Sequence, residues 1–586
     1  MRLNIPSLAA TVRSTANLGG SLLLAGFLVC GFSSQLMAAE DTLLADNSEN
    51  ATEAVTADTT PLSDDGRIIA FINEQIRQGW ADYEYRPSKE ADEGKWVRRV
   101  YLDLLGRIPS TTEVKDFLSD RSKEKKEALV DKLLFSEKYE EEFARNWTTV
   151  WTNLLIGRNG GNDDDRPVNR SGLQQYLRRS LLQNKPYDEL AYELVEARGN
   201  NTPGEKDYNG AVNFLLDNLQ DEQVPATNKV SQIFLGQRVG CTQCHNHPFN
   251  SWKQDAFWSF NAFFKQTVAL RTFEGNDVVM ASLQDQDFAG ESGNPEEAEI
   301  YYELRNGLLK VAYPRFVDGT RINNSGYVED VRRREALAQL IRQSSFLPEA
   351  YVNRTWGYFF GYGFTKPVDD MGPHNPPSHP ELLEFLGTEF ANYGYDMRRL
   401  MKWITLSEAY SLSSRITTGN SKDDPLKGST PMFTHFYLRQ MQAEQLYESL
   451  MIASKADQTS STYAEAEQTK NRWLQQFVLN FGTDENDEAT TFDGTIPQAL
   501  MLMNSDLIKQ ATSVDPGSFL HTVGSSEDRF QTMVNELYLA ALARRPTGKE
   551  SDYASKLLAA RSGNMAEALQ DTWWALLNSN EFILIH

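Results

Sequence analysis

Residues 96–113 read WVRRVYLDLLGRIPSTTE, and the architecture of the chain follows outward from them. From Trp96 to Leu105 apolar side chains recur at helix spacing, until Gly106-Arg107-Ile108-Pro109 stops the run. Ser110, with Glu113 three residues on, is a capping-box signature, so a second helix starts at once. Upstream, Ile68, Ile69, Phe71, Ile72 and Ile76 keep the same period. Downstream, the spacing predicts helices over 123–134, 141–155, 172–182, 187–196 and 227–235, with almost no strand alternation before residue 265.

Between 266 and 326 the pattern changes. Runs at 267–273, 277–283, 300–304 and 308–312 are separated by Gly, Asn and Asp, and Asn306-Gly307 is a short hairpin signal. Helices resume at Arg332 and continue to the C-terminus, broken by a Pro-rich loop at 366–380 and a polar stretch around 416–430. The expectation is a mostly α, multi-helical two-domain protein: a helical region over 65–265, a small β-rich insertion over 266–326, and a helical region over 327–586.

The opening stretch has an echo. Val100 to Pro109, followed by Glu113, recurs as Leu537 to Pro546, followed by Glu550, at identical spacing. Each copy leads into a helix that begins Glu-Ala-Leu-x-Asp, at Glu127 and at Glu567. Both ends of the chain therefore use one helical-hairpin unit, although two copies do not make a solenoid.

The N-terminus sets the compartment. Arg2 and Arg13 precede the apolar run 19–32 (GGSLLLAGFLVCGF), which has secretory length and is too short to span a bilayer. A signal peptide over 1–39, cleaved after Ala39, fits the small-residue rule, and Val29 before Cys30 argues against lipidation. Residues 40–64 are acidic, rich in Thr, Ala and Asp, and lack aromatic side chains, so they read as a disordered tether. The mature chain is expected to be secreted or periplasmic, in the cell envelope, with no transmembrane span. With 81 acidic against 58 basic residues, a formal charge of −23, its average surface repels phosphate backbones and argues against nucleic acid as a partner.

Once the leader is removed, Cys241 and Cys244 are the remaining cysteines, three apart, and His245 follows at once. A chain this long buries a core without cysteine staples, so the pair is expected to be chemical. Cys-x-x-Cys-His suits covalent haem c: two thiols reach the two vinyl groups on one porphyrin edge, and the adjoining imidazole meets the iron as axial ligand. Two alternatives stay open. His247 can join the thiols around non-haem Zn or Fe, with His374, His379 or an acidic residue completing the site, or the cysteines can form a plain disulfide or redox dithiol. A sixth haem ligand is not identifiable among Met280, Met371, His374 and His379. Phe249, Trp252, Phe257, Trp258, Phe260, Phe263 and Phe264 follow the motif, either as a wall for a macrocycle or as the core face of a helix.

The loop over 366–380 carries Asp369, Asp370, His374 and His379, a set that can bind metal or act as acid and base. Its bland reading is a rigid connector, with Ser378 and Glu381 starting the next helix and Arg354 held to Asp369 or Asp370. The acidic run 162–166 lacks the alternating ligands of a Ca²⁺ loop. No nucleotide-binding glycine loop, Gly-x-Ser-x-Gly elbow or His-Glu-x-x-His is present.

Taken together, these residues resemble a set of secreted planctomycete proteins built from a cytochrome-like domain of unknown function followed by a planctomycete-specific domain. The resemblance rests on Tyr101 to Pro109, Asn184 to Asp188, Phe234-Leu235-Gly236 and Cys241 to Phe249 in the first half. In the second half it rests on Val352 to Trp356, the loop from Pro367 to Glu381, Pro497 to Leu500 and Leu576 to Phe582. It implies a haem carried by the same Cys-x-x-Cys-His, so it is not independent of that motif. The family usually has Asp between the two histidines, where this chain has Asn246. Many relatives carry a separate cytochrome c domain upstream; here only the tether stands there, which implies a redox partner protein.

Overall fold

The structure, a computed structural model, describes residues 63–158, 168–247, 252–275, 277–455 and 506–586, with a few positions between 456 and 505. The expected signal peptide, nearly all of the tether, the acidic run 162–166, Phe249 and Pro497 to Leu500 lie outside them. Leu62–His586 pack as one compact unit, mostly α, with small sheets of two or three strands.

Helix formation follows the apolar spacing closely. The first described helix, Asp64–Asp82, buries Ile68, Ile72, Ile76 and Trp80 and starts one residue inside the expected tether, because Ser63 accepts a hydrogen bond from the Gly66 N–H and caps it. Glu93–Leu105 ends on Gly106, whose φ of 72° is the left-handed cap conformation that glycine adopts without strain. The capping box is formed: the Ser110 hydroxyl accepts from the Glu113 N–H, and the Glu113 carboxylate accepts from the Ser110 N–H. The following helices are Lys125–Phe135, Glu137–Ile156, Arg170–Leu182, Tyr187–Glu196 and Val224–Leu235.

The β region is two hairpins. Thr267–Glu274 pairs antiparallel with Asp277–Asp285, and the short strand Gly199–Asn200 adds to the latter's other edge, so this hairpin is stitched to the helical part. Ile300–Glu303 pairs with Leu309–Ala312, turning through Asn306-Gly307. The second hairpin lays Ile300, Tyr302 and Ala312 against Val239, Phe257, Trp258 and Ala262, a small core separate from the main one. The β segment thus supports the stretch that carries the cysteines.

The two helical regions share their main core. Tyr351, on helix Phe346–Phe360 of the second region, meets Trp151 and Tyr187 of the first, with ring centres 6.2 and 4.1 Å apart. Polar links cross as well. Asp103, fully buried, accepts two hydrogen bonds from Arg439, at 2.7 and 2.9 Å, and one from the Tyr410 hydroxyl at 2.7 Å. A buried carboxylate needs such a partner, and this one comes from 336 residues along the chain. A strand pair at Arg439–Gln440 and Leu584–Ile585 ties the C-terminus to the same region.

Candidate functional site

The site is built on a chain reversal. Helix Val224–Leu235 ends at Gly236, in the left-handed conformation, and a Cβ there would stand 2.6 Å from the sulfur of Met371. Glycine is required both by the turn and by the second region's loop, which lies directly on it. Four residues on, Gly240–Gln243 forms a 3₁₀ turn pinned by buried Thr242, whose N–H and hydroxyl both donate to the Val239 carbonyl. Residues three apart eclipse in a 3₁₀ turn, so Cys241 and Cys244 lie on one side of it. Both are exposed free thiols, with no disulfide between them.

His245 is half-buried, and its Nδ1 stands 2.7 Å from the Asn246 carbonyl oxygen. A carbonyl only accepts, so Nδ1 carries the proton and the lone pair sits on Nε2. The surroundings hold this short stretch from several sides. Gln254 donates from its side chain to the Gln243 and Glu303 carbonyls, at 3.1 and 2.9 Å, and Trp258 Nε1 donates to the same Gln243 oxygen at 3.1 Å. The Gln254 N–H donates to Asn246 Oδ1, so the residue between the two histidines is tied to the start of helix Gln254–Asn261. Trp252 donates to the Gln237 side chain at 3.1 Å.

Of the aromatic run after the motif, Phe257 and Trp258 belong to the small core, and Phe260, Phe263 and Phe264 to the main one. They form a core face and not a wall left open for a macrocycle. Trp258 is one of the aromatic residues the sequence marked after the motif, but as wall or core and not as a donor to the turn; Gln254 carried no sequence signal beyond its place in that aromatic run.

The 366–380 loop docks on this segment. Asp369, buried, pairs with Arg238 at 2.6 Å, and the Met371 N–H donates to the Gly236 carbonyl at 2.8 Å. The arginine expected to hold the loop is thus not the one that does. Arg354 donates to the Gln232 carbonyl, while its neighbour Asn353 anchors the loop through Thr365 and the Val368 carbonyl. Ser378 does not cap the next helix either. Helix Pro380–Asn392 has Pro380 at its first position and His379 as N-cap without a side-chain bond, while the Ser378 hydroxyl bonds His379 Nδ1.

The candidate ligands separate. His374 approaches His247 to 6.0 Å between ring centres. His379 is buried against Gly79, Phe364 and Phe433; burial pushes it down to about 4, so it is a neutral core residue. Met371 is buried on Gly236. Met280 lies on strand Asp277–Asp285 and lines an open cavity of about 450 Å³ with Asn169, Arg170 and Asn201. Among the described residues no three His, Cys, Asp or Glu side chains gather as they would around a metal ion, so the thiols and His247 are not joined by His374 or His379 in one centre. Among the described residues, too, no helix is long and apolar enough to cross a membrane.

Residues 71–269 match the family PSCyt2, a protein of unknown function (DUF1549), and residues 333–558 match PSD1, a protein of unknown function (DUF1553). No curated protein and no solved structure matches the chain. The chain therefore carries this pair of domains of unknown function in that order, with the two cysteines in the first and the loop that docks on their segment in the second.

Proposed function

We propose that this two-domain chain is an exported, c-type-cytochrome-like protein of the cell envelope. In this reading Cys241 and Cys244 hold a haem covalently, His245 ligates its iron, and a separate redox protein exchanges electrons with it. The observation that carries the reading is the hydrogen bond from His245 Nδ1 to the Asn246 carbonyl, beside two exposed free thiols on one side of a turn. A metal-ligating histidine ordinarily gives its second nitrogen to such an acceptor, which fixes the tautomer and aims the other lone pair outward. The donor set fits the group at its attachment edge, and when bound the haem would supply a one-electron couple.

The chain's own residues do the rest. Cys241 and Cys244 would hold the haem through its two vinyl groups, each thiol supplying the sulfur for one carbon and the proton for the other, so that nothing would leave and no oxidant would be consumed. Thr242, Gln254 and Trp258 keep the turn in shape by occupying its carbonyls, so the two sulfurs hold a fixed spacing. The extracytoplasmic compartment expected from the leader is where this attachment takes place.

Intact mass of the mature exported protein tests the reading. One haem of added mass, and haem staining that survives denaturation, are expected for the natural chain and lost when Cys241 and Cys244 are both changed to Ser. An exported chain with its bare polypeptide mass and no haem absorption band would overturn it.

A further inference from the structure

The hairpin that supports the cysteine turn buries one face and leaves the other bare. Side chains alternate along a strand, so Ile300, Tyr302 and Ala312 enter the small core while Tyr301, Leu309 and Val311 lie on the opposite face. Leu308, at the turn, is 57% exposed, Leu309 66% and Val311 43%. A single exposed leucine needs no explanation, but neighbouring large apolar side chains on one small hairpin mark a surface that something covers.

Carboxylates border it. Glu303 stands opposite Leu309 across the strands, and the segment 291–311 holds five glutamates against Arg305 and Lys310. Glu291 accepts from the Tyr301 N–H at 3.0 Å, Glu299 from the Tyr301 and Tyr313 hydroxyls at 2.7 and 3.1 Å, and Glu297 from Asn324 at 3.3 Å. These donors are neutral, so they fix the carboxylates and leave their charge for an outside cation. A second copy of the chain, with its own formal charge of −23, is repelled from such a face. The hairpin also reaches the thiols. Gln254 donates from one nitrogen to both the Glu303 and the Gln243 carbonyls, and Cys244 follows Gln243. Trp258, which donates to the same Gln243 oxygen, stacks on Tyr302 with ring centres 6.3 Å apart.

We propose that this face, Leu308, Leu309 and Val311 with the glutamates beside them, docks a small basic redox protein. Its lysines meet the glutamates and its own apolar patch covers the leucines. The inference rests on the reading that the cysteine turn carries a redox group, and it identifies the partner by its charge. Electron-transfer contacts of this kind bury less than ~1,200 Å² in total, and charge complementarity speeds encounter more than it tightens the complex. The glutamates therefore govern approach, and the apolar side chains govern how long the partner stays.

Mitochondrial cytochrome c, small and lysine-rich, is the probe, titrated at low ionic strength into the mature exported chain. Saturable one-to-one binding that falls as salt is raised is expected. Leu309→Ser with Val311→Ser should weaken it about tenfold, and Glu291→Gln with Glu303→Gln should slow association and flatten the salt dependence. All four side chains are exposed, so far-ultraviolet circular dichroism should not change. Carbodiimide, which joins lysine amines to carboxylates without a spacer, should couple the probe within residues 291–303. Cross-links elsewhere, no binding, affinity indifferent to Leu309 and Val311, or a dimer of the chain that Leu309→Ser dissolves would each overturn the proposal. The Cys241→Ser, Cys244→Ser chain separates the two readings. Docking that persists on it, and on a natural chain of bare polypeptide mass, removes the haem alone; a haem-loaded chain that binds the probe elsewhere removes the docking face alone.

Discussion

The two ends of the chain fold the same turn in different surroundings. At the first, Arg107 donates to Glu113 at 2.9 and 3.1 Å, to Glu142, and to the Ile108 carbonyl at 3.0 Å, with its guanidinium over the Tyr101 ring. At the second, Arg544 donates to Glu550 at 2.9 and 2.8 Å, to Glu581, and to the Arg545 carbonyl at 3.1 Å, over the Tyr538 ring. Ser110 and Thr547 close matching capping boxes. The settings differ: Arg107 is 5% exposed and Arg544 22%. The caps differ too, Gly106 against Ala543, both left-handed. One local sequence rule thus produces one geometry, while burial decides what the geometry is worth.

Replacing each arginine by Ala breaks the comparison most directly. Arg107→Ala leaves Glu113 and Glu142 without their counter-charge in a mostly buried place and is expected to cost about 3–5 kcal/mol. Arg544→Ala, where water reaches the carboxylates, should cost about 1–2 kcal/mol. Urea midpoints of the two variants measure the gap, and equal losses would dissolve the distinction.

Acid sharpens it. Burial alone would raise the Glu113 carboxyl, but the hydrogen bonds and charge of Arg107 prevail and hold it down to about 2. At Glu550 the bonds from Arg544 are the leading influence, and it too falls to about 2. Both folded values lie below the ordinary 4.5, so the stabilisation is complete above that pH and is lost as pH falls toward 2. Stability should drop through this window in the natural chain, and each Arg→Ala variant should show a shallower drop, read from urea midpoints across the range.

The caps give the smallest effect. A Cβ at Gly106 would lie 2.3 Å from Asn146 Oδ1, so Gly106→Ala is expected to destabilise by about 1–2 kcal/mol. Ala543→Gly relieves a strained φ of 53° at the cost of a looser unfolded chain, a net gain of about 0.5–1 kcal/mol. Opposite signs for the two substitutions in thermal melts are the expected outcome.

Much of this was legible in the residues themselves. The period of Ile68 to Ile76, the Ser110–Glu113 box and the Asn306-Gly307 turn are local signals, and each produced its element in place. The echo at Arg544 predicted a matching turn, but the third partners, Glu142 and Glu581, come from later helices that no spacing announces. The site divided in the same way. Cys241, Cys244 and His245 are contiguous and needed only reading, whereas the Arg238–Asp369 pair joins residues 131 apart, so Arg354 was a reasonable choice and the wrong one. Histidines in one loop looked interchangeable, yet His374 faces the cysteine segment and His379 enters the core, because Pro380 starts a helix whose entry faces Phe433 and Gly79.

The Asp103–Arg439 pair has a consequence for how the molecule comes to exist. During synthesis the first four hundred residues emerge with an interior carboxylate whose hydrogen-bonding partners, Tyr410 and Arg439, are still to come. Early collapse around that helix is therefore penalised until the distant arginine has been made. Such a chain stays uncommitted while its leading end is already available to other machinery, and locks only when its closing segments arrive.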